Sequence, residues 1–139
     1  MWMQMILYLR LQSLHLSLEK KILLDNMNAL RKVGVRFALD DFGTGQSNLS
    51  YIVDMPIDIV KFDRGMTNAY FDNGKGKPVM DAAMGMIQKL KLEIVSEGIE
   101  EKEQLAKLDE LGIDYIQGYY FSKPRNAAEF ISFIESNNA

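Results

Sequence analysis

The sequence contains no cysteine and a single histidine, His15, in 139 residues. Without cysteine, disulfide bonds and thiolate metal sites are excluded, and a reducing compartment is expected, which predicts a cytoplasmic location. A single imidazole also argues against zinc sites built from several histidines. The sulfur-based and histidine-rich classes of functional site are therefore set aside.

Blocks of basic residues and long apolar runs are also missing. Lys and Arg number 16 against 19 for Asp and Glu, a net charge of -3, which argues against a nucleic-acid polymer as a partner. The apolar start, residues 1–12, is short, is interrupted by Arg10 and lacks the features of a signal peptide, so no membrane segment is predicted. Its alternating side chains instead predict a strand.

Helical and strand periods alternate along the rest of the chain. With 47% hydrophobic and 25% charged residues, the composition is that of a globular domain or part of one. Because parallel neighbouring strands need helical crossovers, these repeated units predict an α/β fold with a parallel sheet. Strands are predicted at residues 35–40, 56–63 and 93–98 and within 114–124, and helices at 17–34, 76–92, 102–112 and 126–136.

Each of these strands has polar side chains at or near its carboxyl end. They are Asp40 and Asp41, Lys61 and Asp63, Glu97 and Glu100, and Gln117. The carboxyl ends of parallel strands meet at one edge of the sheet, which is where ligands bind in such folds. Two adjacent carboxylates are costly there unless a cation offsets them, and hard oxygen ligands suit Mg²⁺ or Mn²⁺. Asp40 and Asp41 are therefore the candidate metal ligands.

Each of these residues also has an ordinary structural interpretation. The Asp pair can cap a turn, Lys61 and Asp63 can form an exposed ion pair of little energetic value, and the glutamates can begin a helix. Gln117, which precedes a glycine, can belong to a turn. Taken singly, these interpretations are the better ones. Taken together, at the same edge of successive strands, the residues favour a functional site.

Four segments also resemble a known family. "FALDDFGTGQSNLSYI", "PIDIVKFDR", "IVSEGIE" and "IQGYYFSKP" resemble the last four strand-end motifs of EAL-domain cyclic di-GMP phosphodiesterases, over residues 17–130. That family folds as a modified TIM barrel and hydrolyses cyclic di-GMP to linear pGpG with Mg²⁺ or Mn²⁺. The resemblance implies that residues 1–139 are the C-terminal portion of such a domain, a partial TIM-like (β/α) barrel of roughly the last four strand–helix units, with residues 1–16 atypical.

The resemblance also assigns roles to single residues. It implies that Asp40 and Asp41 are metal ligands, that Glu97 is a further acidic residue around the metals, and that Lys61 orients the attacking water or stabilises charge on the phosphate. Gln117 would contact the metal-bound water or the substrate, and Lys61, Glu97 and Gln117 form the implied catalytic set. The implied supporting residues are Asp63 and Pro124 for substrate binding, Gly43, Thr44 and Gly45 in a mobile lid, and Glu100.

The sequence departs from the family in several places. No Glu-Ala-Leu signature occurs, and nothing corresponds to the first four strand–helix units of a barrel, which typically takes about 250 residues. Leu9 and Gln12 stand about where the family has two glutamates, and Gln46 stands where it usually has an aromatic residue. Two functions therefore stay open: a phosphodiesterase, or a non-catalytic remnant that binds nucleotide or protein partners.

The replacement at residues 9–13 has a peculiar property. One codon set for these residues, TTG-AGA-TTA-CAG-AGT, read two bases later begins GAG-ATT-ACA-GAG, which encodes Glu-Ile-Thr-Glu. We hypothesise that the N-terminal segment is an out-of-frame reading of an ordinary gene of this family. The DNA sequence across residues 1–20 tests this, and a lack of family-like codons in the alternative frame would contradict it.

A half-barrel also predicts self-association. Its two outer strands would carry unpaired N–H and C=O groups, and the inward apolar faces of its strands would be uncovered. A homo-oligomer, most simply a dimer with two-fold symmetry, is therefore expected.

Overall fold

One sheet of parallel strands forms the centre of the computed structural model, which describes residues 6–9, 17–43, 48–72, 74–121, 123 and 125–137. All its described strands are parallel, and their order in the sheet, β1-β2-β3-β4-β5, is their order in the sequence. Such sequential order is that of a barrel wall. The strands are β1 (Ile6–Leu9), β2 (Arg36–Phe42), β3 (Ile59–Phe62), β4 (Glu93–Glu97) and β5 (Tyr115–Gln117).

The helices lie between and after these strands. They are α1 (Ser17–Lys32), α2 (Asn48–Asp54), α3 (Arg64–Phe71), α4 (Gly76–Lys89), α5 (Lys102–Glu110) and α6 (Ala127–Asn137). The predicted α/β class, the predicted strands and helices α1, α4, α5 and α6 are confirmed, whereas α2 and α3 were not predicted. Among the described helices, none is both long and apolar enough to cross a membrane.

The two faces of the sheet differ strongly. The face under the helices forms the main core, in which long side chains of β2, β3 and β4 pack against helix residues; its fully buried members include Phe37, Leu39, Phe62, Ile94, Met27, Met80, Ile87 and Leu108. Burying each such side chain stabilises the fold by about 1.5–3 kcal/mol. The opposite, inner face has a small buried cluster of Ala38, Ile59 and Val95.

Charged residues lie above and below this small cluster on the inner face. Because side chains alternate along a strand, Arg36 and Asp40 share the face of Ala38, Lys61 shares that of Ile59, and Glu93 and Glu97 share that of Val95. Arg36 donates a hydrogen bond of 2.7 Å to Glu93 at the amino ends of the strands. Asp40, Lys61 and Glu97 occupy the carboxyl ends, so the inner face is layered like the interior of a barrel.

Two aspartates fix the amino ends of the strands. Asp58, directly before β3, accepts a hydrogen bond of 2.9 Å from the Phe37 N–H of β2. Asp114, directly before β5, accepts one of 2.8 Å from the Ile94 N–H of β4. The same contact therefore recurs at alternate strands, on the edge of the sheet that serves stability rather than ligand binding.

Candidate active site at the carboxyl ends of the strands

Lys61 lies between two carboxylates from neighbouring strands. Its Nζ is 3.1 Å from Glu97 Oε2 and 3.6 Å from Asp40 Oδ1. The exposed fractions of the Lys61, Asp40 and Glu97 side chains are 12%, 20% and 38%. Partial burial strengthens such pairs relative to fully exposed ones, because less water screens the charges. Three residues predicted from separate motifs are thus brought together at one edge.

The backbone around Asp40 and Asp41 is irregular. Pairing between β2 and β3 shifts register between Leu39 and Phe42, and Asp41 has a φ of 54°, in the left-handed region. For a residue other than glycine this conformation costs about 1–2 kcal/mol, although Asp tolerates it better than most. Bulges of this kind redirect side chains next to active sites. Local strain at two adjacent carboxylates is typical of a functional position.

Asp40 carries a buried oxygen that hydrogen bonds do not satisfy. Among the described residues, no hydrogen-bond partner reaches its Oδ1, and the Lys61 ammonium at 3.6 Å is beyond hydrogen-bond distance. A buried carboxylate oxygen without a hydrogen bond is costly, and such an atom is consistent with a cation-binding role.

The acidic side chains of the site can hold a cation together with a substrate phosphate and water, but they are too few to hold it alone. In the part of the chain that the structure describes, no group of three or more His, Cys, Asp or Glu side chains is arranged to hold a metal ion. β1 ends at Leu9, which is paired in register with Leu39, so the strand beside Asp40 ends without an acid. Mg²⁺ is commonly held by one or two carboxylates together with substrate phosphates and water. The donors present fit a cation of that shared kind.

Asp63 has a structural task in this fold. It is the N-cap of α3, and its carboxylate accepts hydrogen bonds from the N–H groups of Gly65 at 2.9 Å and Met66 at 3.1 Å. An N-cap of this kind stabilises a helix by about 1 kcal/mol. Substrate binding by Asp63 stays a prediction.

Gly98 follows β4 and is hydrogen-bonded to the end of β5. Its φ is +88°, and a Cβ added to it would lie 2.5 Å from Arg64 Cγ, so both conformation and space require glycine. Its N–H donates a hydrogen bond of 2.9 Å to the Gln117 carbonyl. Glu97 and Gln117 are paired in register, which brings the exposed Gln117 next to the Lys61 trio.

Glu100 and Gly43 follow the carboxyl ends of β4 and β2. Glu100 accepts a hydrogen bond from the Arg64 guanidinium, and its N–H donates to Gln104 at the start of α5. Gly43 has a φ of +95° and directly follows β2; its place in a mobile lid stays a prediction. Thr44, Gly45 and Pro124 lie outside the described residues, as do Gln12 and Gln46, so the predictions for them stay predictions.

Sequence reasoning missed two hydroxyl residues behind the site. Thr67 and Ser96 are both fully buried, and their hydroxyl oxygens lie 2.9 Å apart. No motif contained Thr67, because α3 was not predicted. Ser96 directly precedes Glu97 in a buried strand, where a small polar residue is unusual, and that is the signal that could have identified it.

Comparison with known proteins identifies the family. The EAL domain family matches residues 6–124. The "Probable cyclic di-GMP phosphodiesterase PdeN" of Escherichia coli is 39% identical over 106 residues, which are 76% of this chain and 20% of that protein. This chain spans 16–20% of the length of the first three curated relatives, which are therefore much longer proteins.

Solved structures agree with the sequence relatives. An EAL domain protein from Listeria monocytogenes EGD-e matches with a TM-score of 0.76 and 36% identity, over 83% of this chain and 47% of that one. The PaMucR phosphodiesterase in complex with c-di-GMP matches with a TM-score of 0.75 and 30% identity, over 90% and 50%. These domains are TIM-barrel-like, which confirms the prediction of a partial barrel. The chain belongs to the EAL domain family.

Proposed function

We propose that this chain carries the C-terminal half of a cyclic di-GMP phosphodiesterase site, and that these 139 residues alone bind cyclic di-GMP but hydrolyse it poorly. The observation that carries the proposal is the trio at the carboxyl ends of the strands, in which Lys61 lies 3.1 Å from Glu97 and 3.6 Å from Asp40. Relatives named as cyclic di-GMP phosphodiesterases and a related structure in complex with c-di-GMP support the choice of ligand.

The charges of the site suit a phosphodiester only with help from a cation. Asp40, Asp41 and Glu97 bring three negative charges against the one positive charge of Lys61. Each phosphodiester of the dinucleotide adds a further negative charge. A divalent cation, Mg²⁺ or Mn²⁺ as the family resemblance implies, would be held by Asp40 and Asp41 with Glu97 nearby, and it would neutralise this excess and activate water for attack on phosphorus.

The protein groups then have separate tasks. The Lys61 ammonium stabilises the negative charge that develops on the phosphate oxygens, and its low exposure makes this interaction stronger than it would be in water. Glu97 holds Lys61 in place by the 3.1 Å contact. Gln117, paired with Glu97 across β4 and β5, donates or accepts a hydrogen bond to the substrate or the attacking water.

Poor hydrolysis is expected from the sequence at the N-terminal segment. Leu9 and Gln12 stand about where the family has two glutamates. Without these two carboxylates, fewer hard oxygen ligands are available to a cation. This observation favours the second function that stays open, a non-catalytic module that binds cyclic di-GMP or a protein partner.

Titration of the purified chain with cyclic di-GMP tests the proposal. Binding should be detected by calorimetry, should strengthen when Mg²⁺ or Mn²⁺ is added, and should yield little pGpG by chromatography over hours. Binding that is absent with either metal would contradict recognition, and rapid pGpG formation would contradict the impairment.

Two further properties belong to the proposal. The chain is expected to form a homo-oligomer, most simply a dimer, because the outer edges of β1 and β5 have no neighbour in the described sheet. A cytoplasmic location is expected from the lack of cysteine, which suits a reducing compartment.

A further inference from the structure

We propose that Ser96 and Thr67 are positioning residues, which hold the carboxylate of Glu97 against the ammonium of Lys61 through a chain of hydroxyl groups. This series of hydrogen bonds runs from β4 through α3 to the end of β3. The inference rests on the proposed function in one respect, that Glu97 and Lys61 belong to the site.

The direction of the hydrogen bonds follows from the number of protons. The Thr67 hydroxyl donates to the backbone carbonyl of Asp63 at 3.1 Å. A hydroxyl has one proton to donate, so in the 2.9 Å contact between the two side chains Ser96 must be the donor and Thr67 the acceptor. The sequence of donors is therefore Ser96 to Thr67 to the Asp63 carbonyl. Both side chains are 0% exposed, so water does not compete with this arrangement.

Each end of the chain is next to a residue of the site. Ser96 directly precedes Glu97, the last residue of β4, and Gly98 follows with a φ of +88°. Ser96 is also paired in register with Phe62, which follows Lys61. Asp63, at the other end, follows β3 and is anchored as the N-cap of α3. The hydroxyl chain thus ties together the two strand ends that carry Glu97 and Lys61.

Alternation along the strand explains how the contact acts on Glu97. Ser96 faces the helices and Glu97 faces the inner side of the sheet, since successive side chains point in opposite directions. Anchoring the Ser96 hydroxyl fixes the rotation of the strand end about its own axis, and therefore the direction of the Glu97 carboxylate. Without it, the last strand residue before a glycine can turn, and the 3.1 Å contact with Lys61 is lost.

A double-mutant cycle measures this effect without any ligand. The coupling between Lys61 and Glu97 is obtained from urea unfolding of Lys61→Met, Glu97→Gln and the double variant. We expect a coupling of roughly five-fold in the unfolding constant, which is within the range measured for contacting residues. In a Ser96→Ala background the coupling should fall below roughly two-fold, because the carboxylate is no longer held towards the ammonium.

Matched backgrounds separate positioning from general stability. Thr67→Ser keeps both hydrogen bonds and should retain the coupling. Tyr70→Phe removes a hydroxyl from the same helix, from a ring whose centroid is 5.1 Å from Lys77 Nζ, and should also retain it. Thr67→Val removes the link from the helix side and should abolish the coupling as Ser96→Ala does. If the Thr67→Val variant does not fold, Ser96→Ala decides, because it leaves the Thr67 bond to Asp63 intact.

The positioning role of Ser96 and Thr67 and the proposed function can be contradicted separately. Coupling that is equal in the wild-type and Ser96→Ala backgrounds, or absent from the wild type, would overturn the positioning role. Cyclic di-GMP binding should weaken about five-fold in Ser96→Ala, and this loss should vanish in a Glu97→Gln background. If the chain does not bind cyclic di-GMP with Mn²⁺ but the coupling behaves as expected, the proposed function fails and the positioning role stands.

Discussion

Replacement of Lys61 by Met is the most informative single change in this fold. It keeps most of the side-chain volume and removes the charge that lies 3.1 Å from Glu97 and 3.6 Å from Asp40. The carboxylates of Asp40 on β2 and Glu97 on β4 then lose the positive charge that lies between them on β3. Because like charges at an incompletely hydrated site repel and each loses its partner, the folded state should be destabilised.

The magnitude follows from the burial of the three side chains. Breaking a fully buried pair costs about 3–5 kcal/mol, and exposed pairs contribute about 0.2–1 kcal/mol. With exposed fractions of 12%, 20% and 38%, the trio lies between these limits, and a loss of about 2 kcal/mol is expected. In urea this corresponds to a midpoint that is lower by about 1 M, since slopes of about 1–3 kcal/mol per molar are typical.

A second lysine provides a control at the same distance. Lys77 Nζ lies 3.1 Å from Asp81 on α4, but these side chains are 53% and 43% exposed. Lys77→Met should therefore leave the urea midpoint unchanged within error, because water already screens the pair. Equal shifts in the two variants would mean that burial does not decide the strength of these ion pairs. An unchanged midpoint for Lys61→Met would show that Lys61 does not stabilise the fold through Asp40 and Glu97.

Two further predictions concern residues near Lys61. Asp40→Asn should weaken Mn²⁺ binding, measured by calorimetry, more than Asp63→Asn does, because Asp63 caps α3; equal affinities would count against a metal role for Asp40. Gly98→Ala should lower the melting temperature more than Gly34→Ala. Both glycines have a positive φ, but of the two only Gly98 has a neighbour within 4 Å of the new Cβ, namely Arg64 Cγ at 2.5 Å. Similar melting temperatures would show that this contact does not destabilise the fold.

Hydrophobic periodicity predicted the elements that are long or fully buried. Strands such as β2 and β4 read as short apolar runs, and helices such as α1 and α4 show a regular apolar stripe over 16 and 14 residues. Helix α3 was missed because its sequence, RGMTNAYF, contains several weak helix formers. It forms because Asp63 caps it, which is a local effect, and because Thr67 and Tyr70 are buried, which is a tertiary effect.

The membership of the site was predicted better than its contacts. The rule that parallel strands share a carboxyl edge was enough to bring Asp40, Lys61, Glu97 and Gln117 together. The ordinary interpretation of the sequence paired Lys61 with Asp63, whereas the described ion pairs of Lys61 are with Asp40 and Glu97 from the neighbouring strands. The bulge and the φ of 54° at Asp41 depend on the register of β2 with β3, which a single strand does not encode.

Under the proposed function, the carboxyl ends of β2, β3 and β4 form a cyclic di-GMP site in this chain. This site is tested by calorimetric titration with cyclic di-GMP in the presence of Mn²⁺, on the wild type and on Lys61→Met. Saturable binding is expected for the wild type, with an affinity at least about ten-fold lower for Lys61→Met, equivalent to about 1.4 kcal/mol. Equal affinities for the two proteins, or no binding to the wild type, would contradict it.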